Sequence, residues 1–254
     1  MKKILLILLC LPMIGFGQNV NIPDANFKAY LVDNTAINTN GDTEIQVSEA
    51  ATFNDTIDCD NNNIYDLTGI ESFISLNTLS CNYNNLTNLD LSNNIELISV
   101  DCAYNQITSI DVSNSDDLIM LGAENNSLSS IDVTNNTQLI NLICYSNQLL
   151  IADVRNGNNL NAQWYMFSDN PNLECINVDN PTYSANNWLV SLGMIDSTMY
   201  FSSNCSSLTP TQEYSSNKKK IKVIDLLGRE TRQTNQPLLY LYDDGTVEKR
   251  IVIE

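Results

Sequence analysis

Apolar residues recur through the middle of the chain at a fixed interval of 21 positions. Leu76, Leu79, Cys81 and Leu86 are followed by Leu97, Val100, Cys102 and Ile107. Leu118, Leu121, Ala123 and Leu128 come next, then Leu139, Leu142, Cys144 and Leu149. An asparagine holds the same place in each copy: Asn84, Asn105, Asn126 and Asn147. Ile57, Cys59, Asn62, Ile64 and Leu67 make an earlier copy with one extra residue near Gly69. Leu160, Gln163, Tyr165 and Ser168 read as a degraded last one. Every copy also carries an apolar pair around an aspartate: Leu89-Asp90-Leu91, Ile110-Asp111-Val112, Ile131-Asp132-Val133 and Ala152-Asp153-Val154. Leu79 and Cys81 are two apart, so they share one face of a short strand and Ser80 faces out. A unit this small cannot bury its own apolar face. Units stacked at the strand spacing of about 4.8 Å close one continuous core. The pattern therefore predicts a solenoid of short parallel β-strands with few helices.

The motif L-x-x-L-x-C-x-x-N-x-L resembles the leucine-rich repeat, and DLTGIESFISL (Asp66 to Leu76) resembles its internalin-type variant. The likeness covers residues 57–174. The Asn column falls where the chain turns off the strand, so its side chains are expected to bond backbone groups in their own coil and in the next. Cys59, Cys81, Cys102 and Cys144 stand in line one coil apart, which suits small buried thiols better than a convergent metal site. The Asp column is expected to form a solvated outer face.

The two ends break the pattern. Lys2 and Lys3 precede an apolar run from Ile4 to Ile14 and then Gly15-Phe16-Gly17, the layout of a signal peptide over residues 1–17. That run is too short to anchor the chain in a bilayer, and no other segment is long and apolar enough to span one. Residues 18–56 read as a helical cap. Asp24 to Val32 has Phe27, Tyr30 and Leu31 at helical spacing, and a second short helix is expected from Val47. Between them, Asn38 to Glu49 resembles the EF-hand or dockerin calcium loop. The resemblance implies oxygen ligands from Asn38, Asn40, Asp42, Glu44 (through its carbonyl), Gln46 and Glu49, with Glu49 bidentate. Thr43 replaces the usual glycine of that loop and Asn38 its usual first aspartate. A metal-free turn of Asn and Asp residues is the other reading. No other cofactor is implied.

Residues 175–207 form the expected C-terminal cap. Cys175 and Cys205 lie beyond the last clean repeat and are expected to pair, which an oxidising compartment permits. A polar linker follows at 208–217. Residues 218–254 alternate like a small β module with Asp244-Gly245 at a hairpin turn. VIDLLGRE (Val223 to Glu230), Asp244-Gly245 and KRIVI (Lys249 to Ile253) resemble the C-terminal sorting domain of the type IX secretion system of Bacteroidetes. The departures are a missing Tyr-Pro-Asn-Pro-like opening and Pro237-Leu-Leu-Tyr240 in place of Gly-x-Tyr. The resemblance implies a secreted or surface protein that crosses the periplasm and meets the outer-membrane secretion machinery.

Charge sharpens the picture. From residue 18 to 212 the only basic residues are Lys28 and Arg155, against 23 acidic ones. A surface this acidic excludes nucleic acid as a partner. Histidine is absent, and no nucleophile–base pair or phosphate loop is present, so an enzyme is not expected. The outward strand positions, at a constant step of 21, collect Tyr83, Tyr104, Tyr145, Ile143, Trp164 and Phe167 as candidate ligand-binding residues. The expected function is protein recognition or adhesion by a monomer. Carbohydrate binding through the aromatic column and a purely structural surface role are the alternatives.

Overall fold

The computed structural model describes residues 18–205, and the backbone of Lys220–Asp225, Pro237–Tyr242 and Val247–Ile251. The signal peptide read at 1–17, the linker at 208–217 and the Asp244-Gly245 turn lie outside the described residues. The chain divides into a unit ending at Cys205 and a second beginning at Ser206. Among the described residues no helix is long and apolar enough to cross a membrane.

The first unit is a solenoid built on three-residue strands: β1 (Thr56–Asp58), β2 (Thr78–Ser80), β3 (Ser99–Asp101), β4 (Met120–Gly122), β5 (Ser130–Asp132), β6 (Asn141–Ile143), β7 (Ile151–Asp153), β8 (Trp164–Met166), β9 (Cys175–Asn177) and β10 (Tyr200–Ser202). They form two sheets, ordered β1-β2-β3-β4-β6-β8 and β10-β9-β7-β5. All pairings in both are parallel. In the six-stranded sheet Ile57, Leu79, Val100, Leu121, Leu142 and Tyr165 lie side by side, all fully buried. The middle residue of each strand faces in and its neighbours face out, as the period of two requires.

The last coil corrects the constant step of 21. Leu142 pairs with Tyr165 and Ile143 with Met166, so this coil is two residues longer. The extra residues enter around Gly157, which adopts φ +77°, and a 3-10 turn at Asn159–Asn161. Leu160 is consequently 64% exposed, and Ala162 packs against the core in its place. Phe167, not Tyr165, continues the cysteine column, and Asn170, not Ser168, continues the asparagine column.

That asparagine column is a bonded ladder. Asn84 Nδ2 donates to the carbonyls of Cys59 (2.9 Å) and Cys81 (3.0 Å), and its Oδ1 accepts from Ile64 N (2.9 Å). Asn105, Asn126, Asn147 and Asn170 repeat this coil by coil, with Oδ1 accepting from Leu86, Ile107, Leu128 and Leu149. The bonds run to the same coil and the preceding one, not the next. A second ladder at the other turn, not expected from the sequence, contains Asn94, Ser115 and Asn136, each essentially buried. Asn94 Nδ2 donates to Ile70 O and Phe73 O, and Asn136 Nδ2 to Val112 O and Ser115 O. The outer aspartates have a local task. Asp90, Asp111 and Asp132 each accept the backbone N–H two residues on, at 2.9–3.0 Å, and so brace the turn. Bonds from Ser92 and Ser113 hold the Asp90 and Asp111 carboxyls below their ordinary range.

Both ends are capped. Helix α1 (Ala25–Asp33) places Phe27 and Leu31 on the core, with Asp24 Oδ1 accepting from Asn26 N and Phe27 N. Asp24 Oδ2 also accepts from Tyr65 N at 2.8 Å, which fastens the helix to the first coil. Helix α2 (Val47–Thr52) begins with a capping box of Gln46 and Glu49. Gly69 takes φ +110°, and a Cβ there would lie 2.8 Å from Ile22 Cγ1 and 3.0 Å from Asn21 O, so only glycine lets this segment approach. At the far end helix α3 (Pro181–Asn187) leads to Trp188, which is 5.0 Å from the Tyr165 ring and 5.4 Å from Phe201. Cys175 and Cys205 are joined, closing a 30-residue loop. Such a loop contributes roughly 3–4 kcal/mol on the chain-entropy picture. In the second unit β11 (Lys220–Asp225) and β13 (Val247–Ile251) flank β12 (Pro237–Tyr242) in an antiparallel sheet.

Candidate recognition face

The outward positions of the six-stranded sheet, and the turns that follow it, form one face of the first unit. In register, one column runs Ser80, Asp101, Gly122, Ile143, Met166. Backbone bonds from Tyr83 N to Ala103 O, Tyr104 N to Glu124 O and Asn125 N to Tyr145 O align the next column as Asn82, Ala103, Glu124, Tyr145. Tyr83 and Tyr104 stand beyond it. Their rings stack at 4.4 Å between centroids, with 12° between planes, and they are 56% and 40% exposed.

The backbone under these rings is unusual. Asn61, Tyr83, Tyr104, Asn125, Ser146 and Asp169 all have φ near +55°. Asn, Ser and Asp tolerate this left-handed turn through local hydrogen bonding, whereas a bulky aromatic is strained there. The second and third coils thus hold tyrosine where their neighbours hold small polar residues.

Carboxylates gather beside the tyrosines. Asp60 is fully bonded: its Oδ1 accepts from Ser80 Oγ and Asn82 N, both at 2.7 Å, and its Oδ2 from Asn82 Nδ2. Glu124 occupies the same column, but the positions that serve Asp60 are here Ile143 and Tyr145. Asp101 lies across Gly122, and a Cβ on that glycine would be 2.7 Å from Asp101 Oδ1 and 3.6 Å from Glu124 Oε2. Both of these oxygens are buried without a donor among the described residues. Burial pushes the Asp101 carboxyl above its ordinary value, and Asp60 adds to the effect. Burial does the same to Glu124, with Asp101 adding to it. Tyr145 is pushed up to about 12 by burial and by the charge of Glu124. Among the described residues 18–205 no cation pairs with these carboxylates. Lys28 pairs with Glu44 at 2.6 Å, and Arg155 pairs with Asp153.

The other expected face residues fall differently. Ile143 and Tyr145 are half-buried on the face. Trp164 is 55% exposed, yet it aligns with Asn141 and not with Ile143. Phe167, expected on this face, is fully buried in the column of Cys81, Cys102 and Cys144. The two-residue extension of the last coil moves it from an outward to an inward position. Sequence reading missed Asp101, Gly122 and Glu124 as a group. The sole signal was one glycine in an otherwise side-chain-bearing column.

At the N-terminal loop the structure brings Asn38, Asn40, Asp42, Gln46 and Glu49 together in a hydrogen-bonded ring. Glu49 Oε1 accepts from Thr39 N, Thr39 Oγ1 and Asn40 N, and its Oε2 from Gln46 N. Asn38 Oδ1 accepts from Gly41 N, and Asp42 Oδ2 accepts from Gln46 Nε2. The Glu44 carbonyl, its expected ligand group, accepts from Gln46 Nε2 at 3.5 Å, while its carboxylate pairs with Lys28. The oxygens expected for calcium are therefore engaged by the loop's own donors. The four repeat cysteines are buried and free. Burial drives the Cys59 thiol up to about 12 and pushes the other three well above their ordinary value.

No protein-family model matches the chain. An 82-residue stretch, 32% of the chain, is 39% identical to Internalin J of Listeria monocytogenes, of which it covers 9%. Among solved structures, the functional domain of InlJ from Listeria monocytogenes, which includes a cysteine ladder, aligns over 63% of this chain and 38% of that one. The identity there is 31% and the TM-score 0.51. The chain thus spans under a tenth of the length of the curated relative. The fold is an internalin-like leucine-rich repeat fold.

Proposed function

We propose that the chain is a secreted or surface-exposed recognition module that holds a partner protein against its six-stranded sheet. The observation that carries this reading is the stacked, exposed pair Tyr83 and Tyr104, held in a backbone conformation that disfavours aromatics. An amphipathic aromatic pair on a rigid sheet is the kind of anchor found at interface centres. Its likeness to Internalin J agrees with a role at a cell surface. The N-terminal segment and the 218–254 sorting-like segment supply the export route in this reading. Fractionation of cells carrying the chain with and without residues 218–254 tests that route, and unchanged secretion of the shortened chain rejects it.

The recognition reading is tested by screening the purified chain on a glycan array and against surface-protein extracts, each beside the Tyr83→Ala/Tyr104→Ala variant. Capture of a single protein, lost in the variant, supports it. Array binding lost in the variant moves the reading to carbohydrate. No ligand of either class leaves a structural surface role. Calcium at the Asn38–Glu49 loop belongs to the same proposal as a secondary feature. To ligate a cation with both oxygens, Glu49 must share or release its four hydrogen bonds, so affinity no tighter than about millimolar is expected. Calorimetry with calcium chloride measures it.

A further inference from the structure

Resting on the calcium reading of the Asn38–Glu49 loop, we propose that Asn40 modifies itself. Its side-chain amide cyclises onto Gly41 N and opens in water to an acid, which gives the loop a ligand charge that the sequence does not encode. Asn-Gly occurs twice in the chain, at Asn40-Gly41 and Asn156-Gly157. The two pairs share one local geometry. Each glycine is left-handed, at φ +71° and +77°, with nothing within 4 Å of where a Cβ would stand. Each asparagine Oδ1 accepts the backbone N–H two residues on, from Asp42 at 2.8 Å and from Asn158 at 3.0 Å. That bond polarises the amide carbonyl at the atom where negative charge develops during attack. A glycine without a side chain lets its own nitrogen approach Cγ. Access to solvent separates the pairs. Asn40 is exposed. Asn156 is buried, its Nδ2 donates to Asn136 O at 3.0 Å and Tyr165 Oη at 3.2 Å, and its Oδ1 also accepts from Asn159 Nδ2.

The reaction uses water at both stages. Solvent takes the Gly41 N–H proton, the nitrogen bonds Asn40 Cγ, and Nδ2 departs as ammonia with a proton returned by solvent. Water then opens the five-membered ring. Attack at the side-chain carbonyl restores the main chain with aspartate at position 40, and attack at the main-chain carbonyl leaves isoaspartate. Nothing is oxidised or reduced. In the starting loop Asn40 Nδ2 donates to Asp42 Oδ2 at 3.0 Å and to Gln46 Oε1 at 2.6 Å, and Gly41 N donates to Asn38 Oδ1 at 3.1 Å. Bonds in an exposed loop of this kind open at little free-energy cost. After the exchange an oxygen stands where Nδ2 stood, beside the Asp42 carboxylate. The ring has lost two donors and gained a negative charge, and a cation replaces them.

The test ages the full chain in heavy-oxygen water at mildly alkaline pH, once folded and once in urea, and follows both pairs by mass spectrometry of digests. Urea opens both pairs to solvent, so each gains the mass of an amide-to-acid exchange together with one solvent oxygen. In the folded chain the Asn40 pair is expected to convert at least about tenfold faster than the Asn156 pair. Gly41→Asn keeps a residue that tolerates the left-handed turn but adds a side chain. It should suppress conversion at Asn40 and leave the Asn156 pair unchanged. Equal rates at the two pairs in the folded chain would overturn the proposal. So would an Asn40 rate at least about tenfold below its rate in urea, since the loop's own bonds would then protect it. Asn40→Asp fixes the aspartate product, and calorimetry with calcium chloride should find it binding at least about tenfold more tightly than the unaged parent. Unchanged affinity would overturn the link to calcium alone, because the mass signature decides the cyclisation separately.

Discussion

Replacing Asn126 with alanine isolates what the main ladder contributes. Asn126 Nδ2 donates to Cys102 O at 3.0 Å and to Ala123 O and Glu124 O at 3.3 Å, and its Oδ1 accepts from Ile107 N at 2.9 Å. The three carbonyls each keep another donor after the change: Asn105 for Cys102, Asn147 for Ala123 and Tyr104 N for Glu124. Ile107 N does not. It would become a buried unpaired donor, which costs about 1–3 kcal/mol, and the net loss from the amide bonds adds about 1 kcal/mol. The expected destabilisation is about 2–4 kcal/mol, read as a lower urea midpoint at constant slope. Asn62 provides the control. It occupies the same column in the first coil, is exposed, and its side chain donates to Asp60 O. Asn62→Ala should move the midpoint by less than about 0.5 kcal/mol. Equal shifts for the two variants would refute the claim that the ladder works by satisfying buried backbone.

Ser115→Asn should stabilise the fold by about 1 kcal/mol, because the amide can reach the backbone of the preceding coil as Asn94 and Asn136 do, whereas the serine hydroxyl has no partner among the described residues. A lower melting temperature would show that the slot is already filled. Asp101→Asn should alter the pH profile of stability. The Asp101 carboxyl is raised in the fold, so its favourable contribution is complete below the ordinary carboxylate value and is lost as pH rises through the raised one. The variant should therefore be more stable than the parent at neutral pH, the two converging near about pH 4. The acid limb, set by the depressed Asp90 and Asp111, should persist in both, since their contribution is lost as pH falls through the depressed values. Within residues 18–205 a thiol reagent should find none of the four buried cysteines until urea unfolds the chain, and then four. Reaction in the folded state would contradict their burial.

The repeat was legible because its apolar, cysteine and asparagine positions keep a common step from Leu76 to Leu149, and strand pairing preserves that step residue by residue. Legibility stopped at the last coil. Two residues inserted near Gly157 leave no mark on composition, yet they turn Leu160 outward and Phe167 inward. The Asn94–Ser115–Asn136 ladder had the same period and was obscured by Asn93, Asn114 and Asn135 beside it. Tyr83 and Tyr104 could be picked out as exposed from their columns, but their left-handed backbone could not. The meeting of Asp101 with Glu124 left a single sign in the sequence, the glycine between them in the column. It depends on an absent Cβ in the neighbouring strand, which matters only once the register is known.

The backward reach of each asparagine amide has an evolutionary corollary. Every coil needs an acceptor set only from the one before it, so a duplicated unit spliced in between Asn105 and Asn126 would find its bonds ready-made and pass the same pattern on. Growth or shrinkage by whole units leaves Asp24, Gly69 and the Cys175–Cys205 closure untouched. A lineage could thereby lengthen its contact surface in discrete steps while keeping one pair of end pieces.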